Sequence, residues 1–78
     1  MLYRLCLFLV SALVDDPTQI EIERIETEKI DIILIKAGKE DQGKIVGKKG
    51  KTIDSLRTFL AGIANRVGKE IVVDIIEK

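Results

Sequence analysis

Apolar and polar positions divide the chain into segments with two different periods. From Leu2 to Val14, "LYRLCLFLVSALV", apolar side chains recur at three-and-four spacing, which predicts a helix, and Pro17 follows as a stop signal. Gln19 to Ile25 alternates isoleucine with charged residues, which predicts a half-buried strand. The alternation slips at Arg24-Ile25, and we expect a bulge there.

A second strand is predicted from Lys29 to Ala37, "KIDIILIKA". Both faces of its middle are apolar, which indicates a central position in a sheet. Only Thr27-Glu28 separate it from the first strand, so the two should form an antiparallel hairpin.

Two helices and a third strand complete the pattern. Lys39 to Val46 predicts a short helix, and Lys51 to Val67 predicts a long one that Gly68 is placed to end. The core stripe of the long helix is predicted to consist of Ile53, Leu56, Leu60, Ile63 and Val67. Glu70 to Ile76, "EIVVDII", reads as a strand. Gly43, inside the short helix, suggests that something packs closely against its backbone.

The order αββααβ indicates an α+β fold. A connection through two helices should make the second and third strands parallel. The prediction is a three-stranded mixed sheet covered on one face by three helices. With 78 residues, the chain has room for one domain, spanning 1–78.

Charge is unevenly distributed on a chain whose formal net charge is zero. Residues 15–31 hold seven acidic and two basic side chains, whereas residues 36–57 hold seven basic and three acidic ones. A basic zone on a neutral protein indicates a local anionic partner. There is no histidine, which removes His-based acid–base chemistry and most zinc sites, so we expect neither an enzyme, nor a metal, nor a cofactor.

The stretch "GKIVGKKGKTI" joins the two predicted helices. It is not a nucleotide-binding P-loop, because that motif needs glycine where Ile45 stands, and the preceding segment reads as a helix. Gly47 and Gly50 allow a sharp turn into a helix N-terminus, where free N–H groups favour an anion. Lys48 and Lys49 lie between them, an arrangement that fits nucleic-acid phosphates.

With its flanking aliphatic residues and helices, this stretch resembles the signature of the KH domain, and the element order resembles the type II variant. The resemblance covers nearly the whole chain and extends to small bacterial proteins that consist of one KH domain. It implies binding of single-stranded RNA, with a G-x-x-G loop that clamps about four nucleotides. The implied site consists of Gly47, Lys48, Lys49 and Gly50, the flanking Lys44 and Lys51, and an aliphatic groove walled by Ile45, Val46, Ile53 and part of the second strand.

The family resemblance further implies a cytoplasmic protein with a regulatory or RNA-chaperone-like role. It would act as a homodimer or with another KH-containing protein, and not at a membrane. Ser55, Phe59, Gly62 and Arg66 project away from the core stripe of the long helix and are the expected self-association face. Aromatic stacking on bases is not expected, since Tyr3, Phe8 and Phe59 all lie away from the loop.

Two other interpretations stay open. The chain could be a protein-interaction module that uses the KH fold without RNA. Its apolar N-terminus also resembles a secretory signal, although Asp15-Asp16-Pro17 follow it without a clean cleavage site. A structural helix over residues 1–14 is the favoured reading of that segment.

Overall fold

Helices and strands follow one another in the predicted order αββααβ in this computed structural model, which describes residues 2–77. Met1, part of the predicted first helix, and Lys78 lie outside the described residues. The elements are α1 (Leu2–Ser11), β1 (Glu21–Glu26), β2 (Ile30–Ala37), α2 (Lys39–Val46), α3 (Lys51–Arg66) and β3 (Glu70–Glu77), with short 3₁₀ turns at Pro17–Gln19 and Lys48–Gly50.

The sheet has the order β1-β2-β3. β1 pairs antiparallel with β2 and β2 pairs parallel with β3, so the predicted mixed sheet with β2 at its centre is confirmed. Burial alternates strictly along β2, because every second side chain faces the helices. Ile33, Ile35 and Ala37 are buried on the helix side, and the side chains between them lie on the opposite, uncovered face.

The apolar N-terminal segment is part of the folded domain. Leu2, Cys6 and Val10 of α1 are buried in the same core as β2 and α3. The helix ends at Ser11, three residues before the predicted end, because the Leu13 N–H bonds to the Val10 carbonyl at 3.0 Å and tightens the last turn. Among residues 2–77, no helix has the length and apolar character needed to cross a membrane.

α3 ends in the way that its glycine predicts. Gly68 has a φ of 72°, and the N–H groups of Gly68 and Lys69 bond to the carbonyls of Asn65 and Ala64 at 3.1 and 2.9 Å. This pair of bonds is a Schellman motif. The core stripe differs at one position: Val67 lies beyond the helix end and is exposed, while Ala64 is buried in its place.

The predicted bulge in β1 is wrong. Pairing with β2 runs without interruption from Glu21↔Lys36 to Glu26↔Asp31. The alternation of apolar and charged residues breaks because Ile25 lies on the uncovered face of the sheet and Arg24 on the helix side. The Arg24 guanidinium lies 4.7 Å from the centre of the Tyr3 ring. A cation–π contact thus accounts for a charged residue on that side.

Burial of Cys6 predicts a loss of stability in alkaline solution. Burial raises the pKa of its thiol from 9.0 to about 11. The unfolded chain therefore loses this proton first, and the free energy of unfolding should fall by about 2–3 kcal/mol between pH 9 and 11 from this group. Urea unfolding of wild type and Cys6→Ala at several pH values in this range measures the contribution of Cys6 to the free energy of unfolding. The difference between the two proteins should shrink as pH rises, and parallel pH profiles would contradict the assignment.

Candidate nucleic-acid interface

The junction between α2 and α3 is a single tight turn. α2 ends at Val46, Lys48–Gly50 form one 3₁₀ turn, and α3 begins at Lys51. The turn is closed by two backbone bonds, from the Gly47 N–H to the Gly43 carbonyl at 3.0 Å and from the Gly50 N–H to the Gly47 carbonyl at 3.1 Å. The first-turn N–H groups of α3 therefore follow the two lysines at once, and the dipole of this sixteen-residue helix favours an anion there.

The two glycines of the loop have different roles. Gly47 has φ 75° and ψ 177°, a conformation essentially restricted to glycine, and a Cβ built on it would lie 2.6 Å from the Cβ of Thr52. Gly50 has φ 75° and ψ 9°, in the left-handed helical region, and a Cβ there would meet nothing within 4 Å. Gly47 is thus fixed both by its backbone angles and by close packing, whereas Gly50 is fixed by its backbone angles alone.

The lysines of this segment fall into two groups. Lys48, Lys49 and Lys51 are exposed, and Lys49 has a φ of 58°, uncommon for a residue with a side chain. Lys44 is half-buried and paired with Asp15, and this hydrogen bond raises the pKa of Lys44. Lys44 is therefore charged at neutral pH, but an incoming phosphate would have to compete with the Asp15 carboxylate for it.

The aliphatic residues on either side of the loop pack into the core and so anchor the loop to it. Ile45 and Ile53 are only 0% and 4% exposed and belong to the core, while Val46 is half-buried against that core. In this structure Ile45 and Ile53 therefore offer almost no surface to a ligand. Gly43 also differs from expectation, since within residues 2–77 nothing lies within 4 Å of where its Cβ would be.

An open groove runs between α3 and β3. Its volume is about 380 Å³, and its lining combines an apolar floor with one guanidinium and one carboxylate; the lining residues are Arg57, Ala61, Ile71, Val72, Val73 and Asp74. The strand beside this groove is β3. The RNA groove expected from the sequence beside the second strand stays a prediction. Arg57 reaches across from α3, donates from Nε to the Val73 carbonyl at 2.9 Å, and lies 3.6 Å from Asp74.

Sequence reasoning did not single out Arg57 or Asp74. The local signal was an Asp54-Arg57 pair at i,i+3 spacing, which the structure shows at 3.8 Å. That spacing is common on helix surfaces and does not reveal that the side chain also reaches an edge strand.

A second groove, on the other side of α3, lies against α1. Its volume is about 330 Å³, and its lining is almost wholly apolar: Leu9, Leu13, Thr52, Ser55, Leu56 and Phe59. Phe59 is 51% exposed at its rim, and Phe8 on α1 is 71% exposed. Two of the four residues of the predicted self-association face, Ser55 and Phe59, therefore border this groove.

Residues 4–75 match the KH domain of the KhpA/KhpB family. This chain belongs to that family. The KH assignment made from the G-x-x-G stretch is therefore confirmed, and with it the expectation that the chain is not an enzyme, because these relatives are named for RNA binding.

Individual relatives align over most of the chain. The RNA-binding protein KhpA of Aquifex aeolicus is 35% identical over 65 residues, covering 83% of this chain and 82% of its own. KhpA of Caldanaerobacter subterraneus is 35% identical over 68 residues (87% and 91%), and KhpA of Chlamydia trachomatis is 32% identical over 71 residues (91% of each). The KhpA/KhpB family assignment thus rests on nearly full-length similarity.

A solved structure supports the fold. The chain superposes on part of Era, determined in complex with MgGDPNP and nucleotides 1506–1542 of 16S ribosomal RNA, with a TM-score of 0.64 and 16% identity. The superposition covers 99% of this chain and 31% of Era. At this identity the similarity concerns the arrangement of helices and strands, which agrees with the KH type II order.

The unequal packing of the two loop glycines predicts unequal mutational costs. Gly47→Ala should destabilise the protein by about 3 kcal/mol or more, because it adds strain at a glycine-only conformation to a collision with Thr52. Gly50→Ala should cost only about 1 kcal/mol, the penalty of placing a Cβ in the left-handed region. Urea titrations of both variants beside wild type measure the difference, and equal losses would refute this description of the loop.

Proposed function

We propose that this protein binds single-stranded RNA, with the turn from Gly47 to Gly50 clamping the sugar-phosphate backbone. The observation that carries the proposal is the placement of two exposed lysines on a glycine-bounded turn that leads straight into the N-terminus of α3. Phosphate oxygens approaching this turn meet the Lys48 and Lys49 ammonium groups together with the positive end of a helix dipole. The KhpA relatives are named RNA-binding proteins, which agrees with this assignment.

Bases that follow the clamped phosphates would enter the groove between α3 and β3. A base has apolar faces and polar edges, and this groove offers both an apolar floor and the Arg57 and Asp74 side chains. The α1–α3 groove offers nearly no polar group to pair with a base edge. Asp54 and Asp74 would repel phosphates, but Arg57 lies within 4 Å of both carboxylates and offsets half of their charge.

A regulatory or RNA-chaperone-like role in the cytoplasm, by a single domain over residues 1–78, is part of the same proposal. One domain that holds about four nucleotides without aromatic stacking is expected to bind near the micromolar range, about −8 kcal/mol. Tighter engagement needs a second copy or another KH-containing partner to supply avidity. The α1–α3 groove, apolar and rimmed by Phe59, is the proposed seat of that association.

Charge reversal at the loop tests RNA binding. Lys48→Asp/Lys49→Asp should weaken binding of a fluorescent single-stranded RNA by at least about 2 kcal/mol, roughly 30-fold, because two carboxylates would stand where phosphates must lie. Thermal stability should change by no more than about 0.5 kcal/mol, since both side chains are exposed. The matched control, Arg4→Asp/Lys29→Asp, makes the same change in net charge near the other end of α3, about 24 Å away, and should bind like wild type.

The same titration at several salt concentrations tests whether the loop lysines contact phosphates. With two to four phosphates neutralised, log K against log salt should have a slope of roughly −1.4 to −3, reduced in the loop variant. Unchanged RNA affinity in the loop variant would contradict the proposal and favour a protein-interaction module. A duplex bound as tightly as the single strand would contradict a groove for unpaired bases.

Association through the α1–α3 groove has its own test. Phe59→Asp should yield a folded monomer where wild type sediments as a dimer, because a carboxylate would be buried in an apolar contact. Val67→Asp, an equally exposed apolar position beyond the end of α3, is the control and should leave the dimer intact. A wild type that sediments as a monomer at high concentration would rule out the homodimer and leave association with another KH-containing protein.

A further inference from the structure

The face of the sheet turned away from the helices is apolar at its centre. Ile25, Ile32 and Val72 are aligned across the three strands by the pairing register, one from each strand. Ile25 is 55% exposed and Val72 47%, and Ile76 at the same face is 37% exposed. Ile30 and Leu34 of β2 extend this surface along the central strand. These side chains are here called the bare face.

Strand composition indicates that this face is covered in the working protein. β2 and β3 form the parallel half of this mixed sheet. Their sequences, "IDIILI" and "EIVVDII", are nearly continuous apolar runs, as in strands buried on both sides. Within residues 2–77, α1, α2 and α3 lie on one side only, which leaves the other face without a covering layer.

The charges around the bare face decide what that molecule is. The register places four acidic side chains and one basic side chain among these apolar residues; the acids are Glu21, Glu23, Glu70 and Asp74. The one base, Lys36, is paired with Glu23. Arg57 of α3 reaches Asp74 from the side at 3.6 Å, so the acids still outnumber the bases by four to two. RNA phosphates would be repelled from this face, and a second copy laid face to face would bring acid against acid. A segment with an apolar stripe and basic flanks complements the face on both counts.

We propose that the bare face docks an amphipathic helix of a partner protein, with leucine- or isoleucine-type residues on the stripe and lysine or arginine beside them. Its apolar side chains cover Ile25, Ile32 and Val72, and its basic side chains meet the acids of the two edge strands. The bound helix completes a three-layer arrangement, helices–sheet–helix. This surface is separate from the Lys48-Lys49 loop but shares Val72 and Asp74 with the α3–β3 groove, so the partner would compete with RNA bases at that edge and leave the loop itself free.

The probe for this proposal is a synthetic 18-residue amphipathic peptide made of leucine and lysine, added to the ¹⁵N-labelled full chain. A peptide with glutamate in place of lysine is the matched control. The lysine peptide should shift the amide signals of Ile25, Ile32 and Val72, and the glutamate peptide should not bind. Ile25→Lys/Val72→Lys should weaken binding of the lysine peptide at least tenfold, while Phe8→Lys, an exposed apolar residue on α1, should leave it unchanged.

Several results would overturn the proposal. Absence of binding, equal binding of both peptides, or shifts confined to the α1–α3 groove would each do so. Loss of a wild-type dimer in Ile25→Lys/Val72→Lys would show that a second copy covers the face instead. Because the readout is peptide binding, failure here leaves RNA binding at the loop unaffected, and failure of RNA binding leaves this surface standing.

Discussion

The parallel pairing of β2 with β3 is the constraint on which the rest of the structure depends. Parallel strands cannot be joined by a tight hairpin, so the chain has to cross one face of the sheet before it returns. It crosses in two helices, α2 and α3, which need a sharp reversal between them. That reversal is the turn from Gly47 to Gly50. The proposed RNA clamp is therefore the turn between the two helices that connect the parallel strands β2 and β3.

Packing beneath that corner fixes its shape. Ile45 before the turn and Ile53 after it are both buried, so the two ends of the turn are anchored in the core. Gly47 then lies so close to Thr52 that no side chain fits between them. An anchored turn keeps Lys48 and Lys49 exposed at a fixed position ahead of α3, and a prearranged site loses less entropy when a ligand binds.

Three of the surfaces around the core differ in chemistry. The groove between α3 and β3 mixes apolar and charged side chains, the groove between α1 and α3 is almost wholly apolar, and the bare face of the sheet is apolar and surrounded by acids. A chain of zero net charge thus separates its charges in space. The basic loop and the acidic sheet suit different partners, and this separation follows from the alternation of side chains along β1 and β3.

The sequence by itself determined the order of elements, most of their bounds and the loop, because glycine, proline and hydrophobic period act over a few residues. Gly68 ends α3, and α2 spans the residues that its pattern predicts. Only the tertiary structure decided which aliphatic residues are core, why Ile25 breaks the pattern of β1, and that Arg57 reaches the Val73 carbonyl. The Arg57 contact joins residues sixteen positions apart, and Arg24 lies on the helix side because it meets Tyr3 of α1. The pattern of one segment predicts its own helix or strand but not which side chain of another segment it will contact.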